Sequence, residues 1–504
     1  MWINKRPIVN LALLCLSLSI ILLGTIFLVN GVTAAEIGEH VSADVKLTPY
    51  LRSTSVYTAY LPIVFNRYPW ISPFGFESNV SLAGGTMLTR AEELQIGWVR
   101  LNGRISWREL QPEADDPIQW DLLTGFEAEL RSLKAAGMTP VVIVDDYPRW
   151  VTQNDVRSDG EPTSCGPIRS DRFDDFALFM RRLVSRYGTP EFNVHNWELG
   201  NEPDVDPNLV PPDFLFGCWG DIDDPYYGGE HYGEMVKVVG RAIKDEDPQA
   251  KVWIGGLLLD SPNTDNPWRG SPERFFEGVL RVGADAYFDI VPYHAYPTYV
   301  NTRMDYDLNA GPWTEWGGNA LGKAKYLRGL MDEYDVEKPV FLNETGLMCP
   351  EYYSWCTPPN HAFYEMQASH IVRMFVRGQS GGVKGFIWYT LNGPGWRYTG
   401  LLEGNGEPKP VYLAYQELNE QLRNTRYLEP VYYGEGIEAY AFSRGAEHIH
   451  VVWAVRNETF DISVLQTDLV GAYDLEGNIL PLTSVGDSYY LNVGFEPIYV
   501  VKKP

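Results

Sequence analysis

The chain has 504 residues, 66 acidic against 41 basic side chains, and a formal net charge of −25 at pH 7. A chain of this length can bury a large core and has room for more than one domain. The negative charge opposes encounter with polyanions, so it argues against nucleic acid and anionic surfaces as partners.

The N-terminal residues 1–35 have the pattern of an export signal. Basic residues precede an apolar run from about Ile8 to Val29, and small residues follow up to Ala35. A cleaved signal peptide fits this pattern, and the run is also long enough to span a bilayer as an uncleaved anchor. Both interpretations place the rest of the chain outside the cytoplasm. Membrane contact is expected only through this segment, and residues 36–69 are predicted to form a tether.

Eight short apolar runs alternate with helical patterns between about residues 70 and 424. Continuous apolar runs are typical of parallel strands that are buried on both faces. Eight such strands separated by helices predict a (β/α)₈ barrel over residues 70–424. The predicted strands are Phe74–Ser78, Trp98–Asn102, Pro140–Val144, Asn196–Gly200, Val252–Gly255, Phe288–Tyr293, Pro339–Leu342 and Gly385–Tyr389.

Residues 425–504 have a different pattern, in which apolar and polar residues alternate without a helical period. Examples are Ile437–Phe442, His448–Trp453 and Ile498–Val501. This pattern predicts a small antiparallel β-sandwich. Shielding of apolar barrel surface and ligand binding are both open as its role, and we favour shielding.

Two glutamates follow strands of the predicted barrel: Glu202 follows the fourth strand and Glu344 the seventh. Catalytic groups in this fold stand at the C-terminal ends of the strands. A pair of carboxyl groups is the minimum equipment for cleaving a glycosidic bond. Carboxyl groups roughly 5 Å apart would indicate retention at the anomeric carbon, and roughly 6.5–9.5 Å would indicate inversion.

A third carboxylate, Glu198, lies four residues before Glu202 on the same strand. It faces the same way but about 13 Å deeper, at about 3.3 Å per residue. A buried carboxylate needs a partner, and Arg100 on the second strand is the candidate. We therefore predict a structural role for Glu198.

The cysteines agree with export. Cys15 lies in the N-terminal apolar run, and the other four cysteines make an even number, which predicts disulfides in an exported chain. Of the three connectivities we favour Cys349–Cys356, which closes a short loop, together with Cys165–Cys218. The spacing of these residues is not that of metal ligands, and we expect neither a metal nor another cofactor.

These residues also carry a family resemblance. Asn201-Glu202-Pro203 after a strand, with Glu344 ending a later strand, resembles the signature of the clan A glycoside hydrolases, which are retaining (β/α)₈ enzymes. Within the clan, the stretch Trp197–Asp204 and the appended β-domain are most similar to family 39, which includes β-xylosidases and α-L-iduronidases. The resemblance implies cleavage of O-glycosidic bonds in plant- or microbe-derived oligosaccharides or polysaccharides.

The resemblance implies a role for individual residues as well. Glu202 would be the acid/base and Glu344 the nucleophile, held in place by Tyr296. The other residues that it places in the substrate site are Asn201 (for the sugar 2-hydroxyl), Arg100 (beside the nucleophile), His294 (ending strand six) and Trp388 (flooring the sugar).

Three alternatives stay open. Many clan members have a histidine at the end of strand three, where this chain has Asp145. That side chain would either bind sugar hydroxyls or a basic group, or only cap its loop. The whole chain could also be a cell-surface barrel that binds carbohydrate without cleaving it, although both carboxylates are present. A transglycosidase would use the same carboxyl pair and an acceptor sugar in place of water.

Overall fold

The computed structural model describes residues 72–153, 166–210, 217–263, 269–309 and 311–504. The predicted signal segment and tether, and Cys165, lie outside these residues. Within these ranges, no helix is long and apolar enough to cross a bilayer.

Eight parallel strands form a barrel, as predicted. They are β1 (Phe74–Glu77), β2 (Trp98–Ser106), β3 (Thr139–Asp145), β4 (Asn196–Asn201), β5 (Lys251–Gly256), β6 (Val291–Ala295), β7 (Val340–Thr345) and β8 (Gly385–Tyr389). Their order is β5-β4-β3-β2-β1-β8-β7-β6. Parallel bridges from Trp253 to Ile290 and from Leu257 to Tyr293 close the sheet between β5 and β6.

The strand ends differ from the prediction in ways that matter for the site. β7 continues to Thr345, so Glu344 lies within the strand and pairs in register with His294 of β6. β6 begins at Val291, because residues 284–287 form a turn of 3₁₀ helix before it. All residues of β4, β6 and β7 are buried, as continuous apolar runs predict.

Helices surround the barrel. They are α1 (Gly85–Leu94), α2 (Trp107–Leu110), α3 (Thr124–Ala135), α4 (Phe173–Tyr187), α5 (Gly229–Glu246), α6 (Phe275–Arg281), α7 (Asn319–Glu333), α8 (His361–Ser380) and α9 (Pro410–Leu422). α4 buries Phe173, Phe176, Met180 and Leu183, which recur at the helical period and form one apolar face. α8 is buried over most of its surface, because C-terminal strands cover the side that faces away from the barrel.

Two antiparallel sheets follow the barrel and confirm the predicted C-terminal sandwich. One sheet has the order β13-β16-β11-β10-β9 and the other β12-β15-β14. The strands are β9 (Arg426–Pro430), β10 (Ile437–Arg444), β11 (Glu447–Ala454), β12 (Phe460–Leu465), β13 (Leu469–Tyr473), β14 (Thr483–Val485), β15 (Ser488–Val493) and β16 (Ile498–Lys502).

The larger sheet buries side chains on both faces. Val452 and Val500 pack with Ile462 and Leu491 in a core between the two sheets. The other face belongs to the core of the barrel, which it joins through Phe442, Ile449, Val451, Trp453, Tyr499 and Val501. The C-terminal strands therefore cover apolar surface of the barrel and its helices.

Candidate active site

The carboxyl groups of Glu202 and Glu344 meet at the C-terminal rim of the barrel. Glu202 is the first residue after β4, and Glu344 is the last but one of β7. One carboxyl oxygen of each lies within 4.8 Å of the other, and a ring nitrogen of His294 belongs to the same group. The two residues are far apart in the chain, and closure of the barrel brings them together.

The backbone turns sharply at Glu202. Its N–H donates to the carbonyl of Gly256 at the end of β5, at 2.9 Å. Its φ of 45° lies in the left-handed region, which side-chain-bearing residues seldom adopt. Such backbone positions concentrate at active sites, where the surrounding structure holds them.

His294 stands between the two glutamates. Its Nδ1 lies 2.8 Å from Glu202 Oε1, and its Nε2 lies 3.7 Å from Glu344 Oε2. Burial lowers the pKa of His294 to about 4, so the imidazole is neutral at physiological pH. Burial also raises the pKa of Glu202 to about 7. A neutral imidazole shares one proton with Glu202 and adds no positive charge to the site.

Glu344 has different neighbours. Tyr296 donates its hydroxyl to Glu344 Oε1 at 2.5 Å, and Arg100 Nη1 donates to Oε2 at 2.5 Å. Burial and the charge of Glu344 keep the pKa of Tyr296 well above its usual value, so the phenol remains a donor. Both carboxylate oxygens are held, which fixes the orientation of Glu344.

Arg100 is fully buried and donates to four residues. It binds Glu198 through two hydrogen bonds of 2.9 Å, which is the pair expected from the depth of Glu198. Nη2 also donates to Asn201 Oδ1 at 2.6 Å, and Nη1 donates to Glu77 Oε2 at 2.5 Å as well as to Glu344. One guanidinium therefore joins residues from β1, β4 and β7.

Glu202, His294 and Glu344 are close enough to surround a cation. Both oxygens of Glu344 already accept hydrogen bonds, and one of them comes from the positive guanidinium of Arg100. A cation bound to Glu344 would lie close to the positive guanidinium of Arg100, which donates to the same carboxylate at 2.5 Å, and would be repelled by it. The donor set does not fit a metal ion.

Asp145 ends β3 and is partly exposed. Burial and the neighbouring charge of Asp146 raise the pKa of Asp145 to about 7. Asp146 itself is paired with Arg108 at 3.0 Å. Asp145 therefore lies at the same rim as Glu202 and Glu344, with Arg100 and Glu198 near enough to affect its charge.

Trp388, which the resemblance placed on the floor of the sugar site, is not part of the cluster. Its side chain is fully buried, its indole N–H donates to the carbonyl of Thr399 at 2.8 Å, and its ring faces Phe375 of α8. Successive residues of a strand point to opposite faces, so the next residue, Tyr389, points inward instead. The ring of Tyr389 lies 6.2 Å from that of Tyr296.

Sequence reasoning missed two residues at the site, Glu77 and Tyr389, and named Trp396 only as one of several loop aromatics that could line sugar subsites or simply pack. Glu77 ends β1 and binds Arg100. Tyr389 accepts a hydrogen bond from Asn79 at 2.8 Å. Trp396 is 47% exposed, and its ring meets that of Tyr296 edge-on at 5.6 Å. The rule that found Glu202 and Glu344, a carboxylate at the end of a barrel strand, also applies to Glu77.

A disulfide joins Cys349 to Cys356 in the loop that follows β7, as predicted. The N–H of Cys349 donates to the carbonyl of Arg397 at 2.9 Å, which ties this loop to the loop after β8. The other predicted pairing includes Cys165, which lies outside the described residues.

No family profile and no curated protein matches the sequence. Solved structures do match the fold. A family 39 glycoside hydrolase from Bacteroides cellulosilyticus is 19% identical, with a TM-score of 0.63 over 86% of this chain and 81% of that one. An endoxylanase of family 30 from Clostridium papyrosolvens is 11% identical, with a TM-score of 0.58 over 86% and 97%. A family 39 β-xylosidase from Caulobacter crescentus is 16% identical, with a TM-score of 0.55 over 86% and 96%.

The chain therefore has the fold of the clan A glycoside hydrolases, a (β/α)₈ barrel followed by a β-sandwich. This confirms the resemblance at the level of the fold. Family 39, which the sequence resembles most, is among the most similar structures.

Proposed function

We propose that this protein is a retaining O-glycoside hydrolase that acts by double displacement. The observation that carries the proposal is the distance within 4.8 Å between carboxyl oxygens of Glu202 and Glu344. Retaining enzymes place their two carboxyl groups about 5–5.5 Å apart, whereas inverting enzymes leave about 6.5–9.5 Å for a water molecule. The short distance favours direct attack of one carboxylate on the anomeric carbon over attack by a water molecule held between the two groups.

In the first step, a Glu344 oxygen forms a bond to the anomeric carbon while the bond from that carbon to the leaving oxygen breaks. Glu202 gives its proton to the leaving oxygen. A pKa of about 7, raised by burial, supports this role, because the carboxyl group still holds a proton near neutral pH. The products are the free alcohol and a glycosyl ester on Glu344.

In the second step, the Glu202 carboxylate takes a proton from water as the water oxygen attacks the anomeric carbon. The ester bond breaks and Glu344 leaves as a carboxylate. Arg100 and Tyr296, which each lie 2.5 Å from a Glu344 oxygen, stabilise the charge that returns. Two inversions at the same carbon retain the anomeric configuration.

Several side chains support sugar binding at the same rim. Asn201 Oδ1 accepts from Arg100, which leaves its amide N–H groups for a sugar 2-hydroxyl. Asp145 offers a carboxyl group that is partly exposed at the end of β3. Trp396 offers an exposed aromatic ring beside Tyr296. A xylosidase and a xylanase are among the structural neighbours, so xylose-containing substrates come first for testing.

We also propose that the protein acts outside the cytoplasm. The charge and apolar pattern of residues 1–35 supports export. The Cys349–Cys356 disulfide supports an oxidising environment. Fusion of residues 1–35 to a reporter enzyme that is active only after export would test this directly.

The experiment that tests the activity is a panel of aryl glycosides (xyloside, glucoside, galactoside, mannoside and arabinoside) followed by NMR of the first-formed anomer. Hydrolysis with a retained anomer is expected for one sugar. An inverted product would refute double displacement. Binding without turnover across the panel and on oligosaccharides would favour a non-catalytic carbohydrate-binding barrel, and transfer to an added acceptor sugar would identify a transglycosidase.

A further inference from the structure

Glu77, the last residue of β1, has an unusual place in the site. Its side chain is fully buried, and its Oε2 lies 2.5 Å from Arg100 Nη1. The same nitrogen lies 2.5 Å from Oε2 of Glu344. Glu77 Oε1 is buried, and the Asn102 side chain acts on this carboxyl group as a further hydrogen-bond donor. Glu77 and Glu344 thus share one nitrogen, although the two-step reaction gives Glu77 no part.

The charges around Arg100 do not balance if every carboxyl group is ionised. In the part of the chain that the structure describes, Arg100 is the one arginine or lysine in an ion pair with Glu77, Glu198 or Glu344. Three anions would then face one cation in a site removed from water. Burying such an excess of charge is costly, and a carboxyl group relieves it by keeping its proton.

The other groups that face Glu77 bring no positive charge. Asn102 on β2 is neutral, and the phenols of Tyr296 on β6 and Tyr389 on β8 are neutral as well. Burial and the charge of Glu344 raise the pKa of Glu77 to about 8, against the lowering effect of Arg100. Glu198 accepts hydrogen bonds from Arg100, Asn343 and the backbone N–H of Gly256, which stabilise its ionised form. Glu77 has fewer donors and is therefore the better candidate for the protonated group.

We propose that Glu77 is a positioning residue that keeps its proton while it anchors Arg100 Nη1 beside the nucleophile Glu344. The nucleophile role of Glu344 rests on the proposed function. A neutral carboxyl group accepts the N–H of Arg100 without competing with Glu344 for its positive charge. When Glu344 is esterified, Glu77 and Glu198 still hold the guanidinium, so the carboxylate that is released finds its partner in place.

Two variants test the positioning role. Glu77→Gln keeps a neutral acceptor of the same size, and Glu77→Ala removes the anchor. Rates are expressed per active site, counted by stoichiometric labelling with a 2-deoxy-2-fluoro glycoside, so that loss of folded protein does not enter. We expect Glu77→Gln to stay within about threefold of wild type and Glu77→Ala to lose about tenfold or more in kcat.

The pH profile separates a neutral Glu77 from an ionised one. If Glu77 is neutral, Glu77→Gln changes no charge beside Glu344, and the acidic limb of kcat/KM stays where it is in wild type. If the acidic limb of kcat/KM moves by about one pH unit or more in Glu77→Gln, Glu77 is ionised in wild type and the proposal is wrong. An unchanged per-site kcat in Glu77→Ala would overturn the positioning role.

A measurement of stability tests whether Glu77 is protonated in the folded protein, and it requires no enzymatic activity. A carboxyl group whose pKa is raised to about 8 in the folded state, against 4.5 for the free group, holds a proton that the unfolded chain releases. The unfolding constant of wild type should therefore rise relative to that of Glu77→Gln by up to about tenfold per pH unit between pH 5 and 7.5. If the unfolding constants of wild type and Glu77→Gln change with pH in parallel, Glu77 is not protonated in the folded protein. If wild type hydrolyses no glycoside, the proposed function fails while this comparison still decides the state of Glu77.

Discussion

Glu202 and Glu344 are the same type of residue, and their neighbours make them different. Glu202 faces a neutral imidazole at 2.8 Å and lies in a buried position that favours its protonated form. Glu344 receives one hydrogen bond from a guanidinium and one from a phenol. Burial favours the protonated form of Glu202, whereas two donors fix the orientation of Glu344, and the proposed division into acid/base and nucleophile rests on this difference.

Replacing Glu202 by Gln should affect substrates according to their leaving groups. The amide cannot donate a carboxylic proton, so aryl glycosides with poor leaving groups should lose about 10²–10⁴-fold in kcat/KM. Glycosides with activated leaving groups such as dinitrophenolate need little protonation and should keep most of their kcat/KM. An equal loss on both classes, measured over a series of leaving-group pKa values, would remove Glu202 from the acid role.

The pH dependence follows from the same residue. Because burial raises the pKa of Glu202 to about 7, the acid stays protonated up to that pH and is lost above it. For poor leaving groups, kcat/KM of wild type should fall with rising pH around pH 7. With an activated substrate, where protonation is not required, wild type should show no such fall around pH 7. A fall of the same size with both classes of substrate would assign it to a group other than Glu202.

Much of the site was predictable from the sequence at the level of single residues. The Asn201-Glu202-Pro203 motif and the strand-end position of Glu344 identified the carboxyl pair, and the depth of Glu198 predicted its pairing with Arg100. Trp388 and Tyr389 were not distinguished, because strand pairing decides which of two adjacent residues faces the barrel interior. Glu77 was overlooked although it also ends a barrel strand, and only strand pairing reveals its contact with Arg100 of β2.

At the scale of secondary-structure elements, α8 links the barrel to the C-terminal sheet. Arg377 of α8 donates to both oxygens of Glu438 of β10 at 2.6 Å and to Asp305 at 2.7 Å. Arg373, one turn earlier, donates to Asp305 and to the carbonyl of Ala454. These arginines are nearly fully buried, so each depends on its partners.

This network predicts a difference between two glutamates. Glu438→Gln should lower the free energy of unfolding by about 3 kcal/mol, because it leaves the buried charge of Arg377 without a full partner. Glu230→Gln breaks an exposed pair with Arg281, 2.9 Å long, and should leave the free energy of unfolding nearly unchanged, because solvent screens this pair. Denaturant unfolding of both variants measures the difference. Equal losses would show that the Arg377 network is not a main link between the domains.

The order of elements was accessible from the sequence because each strand and helix has its own periodicity. All eight predicted barrel strands, and the three predicted C-terminal strands that correspond to β10, β11 and β16, overlap strands of the structure, whereas the patterns did not mark β9 and β12 to β15. The predicted strand ends were less accurate: β2 was predicted to end at Asn102 and runs to Ser106, and β7 was predicted to end at Leu342 and runs to Thr345. Pairing with neighbouring strands extends them, and no local pattern reports such pairing.

At the scale of the whole molecule, the barrel and the sandwich share a core. Phe442, Trp453 and Tyr499 of the C-terminal strands are fully buried in the same apolar cluster as the barrel residues. The residues that the structure describes from Ser72 to Pro504 therefore form one compact unit, in which the barrel and the sandwich share apolar surface.

A chain that ends at residue 424 should consequently fail to fold stably. It would uncover the side of α8 that carries Arg373 and Arg377, over which the ring of Trp453 lies, and the barrel side chains that share the apolar cluster with the C-terminal strands. The cost is about 1.5–3 kcal/mol for each large apolar side chain that is no longer buried. A chain that spans residues 70–504 is the matched control and should remain folded. Circular dichroism and gel filtration compare the two. A soluble, cooperatively unfolding 1–424 or 70–424 protein would contradict the shared core.

The covalent intermediate tests the central claim most directly. The protein would be incubated with a dinitrophenyl 2-deoxy-2-fluoro glycoside of the sugar that it hydrolyses, then digested and mapped by mass spectrometry. We expect one sugar per chain, attached to Glu344, with release on adding an acceptor alcohol. Attachment at Glu202 or at another residue, or full turnover of substrate with no covalent species, would contradict the account.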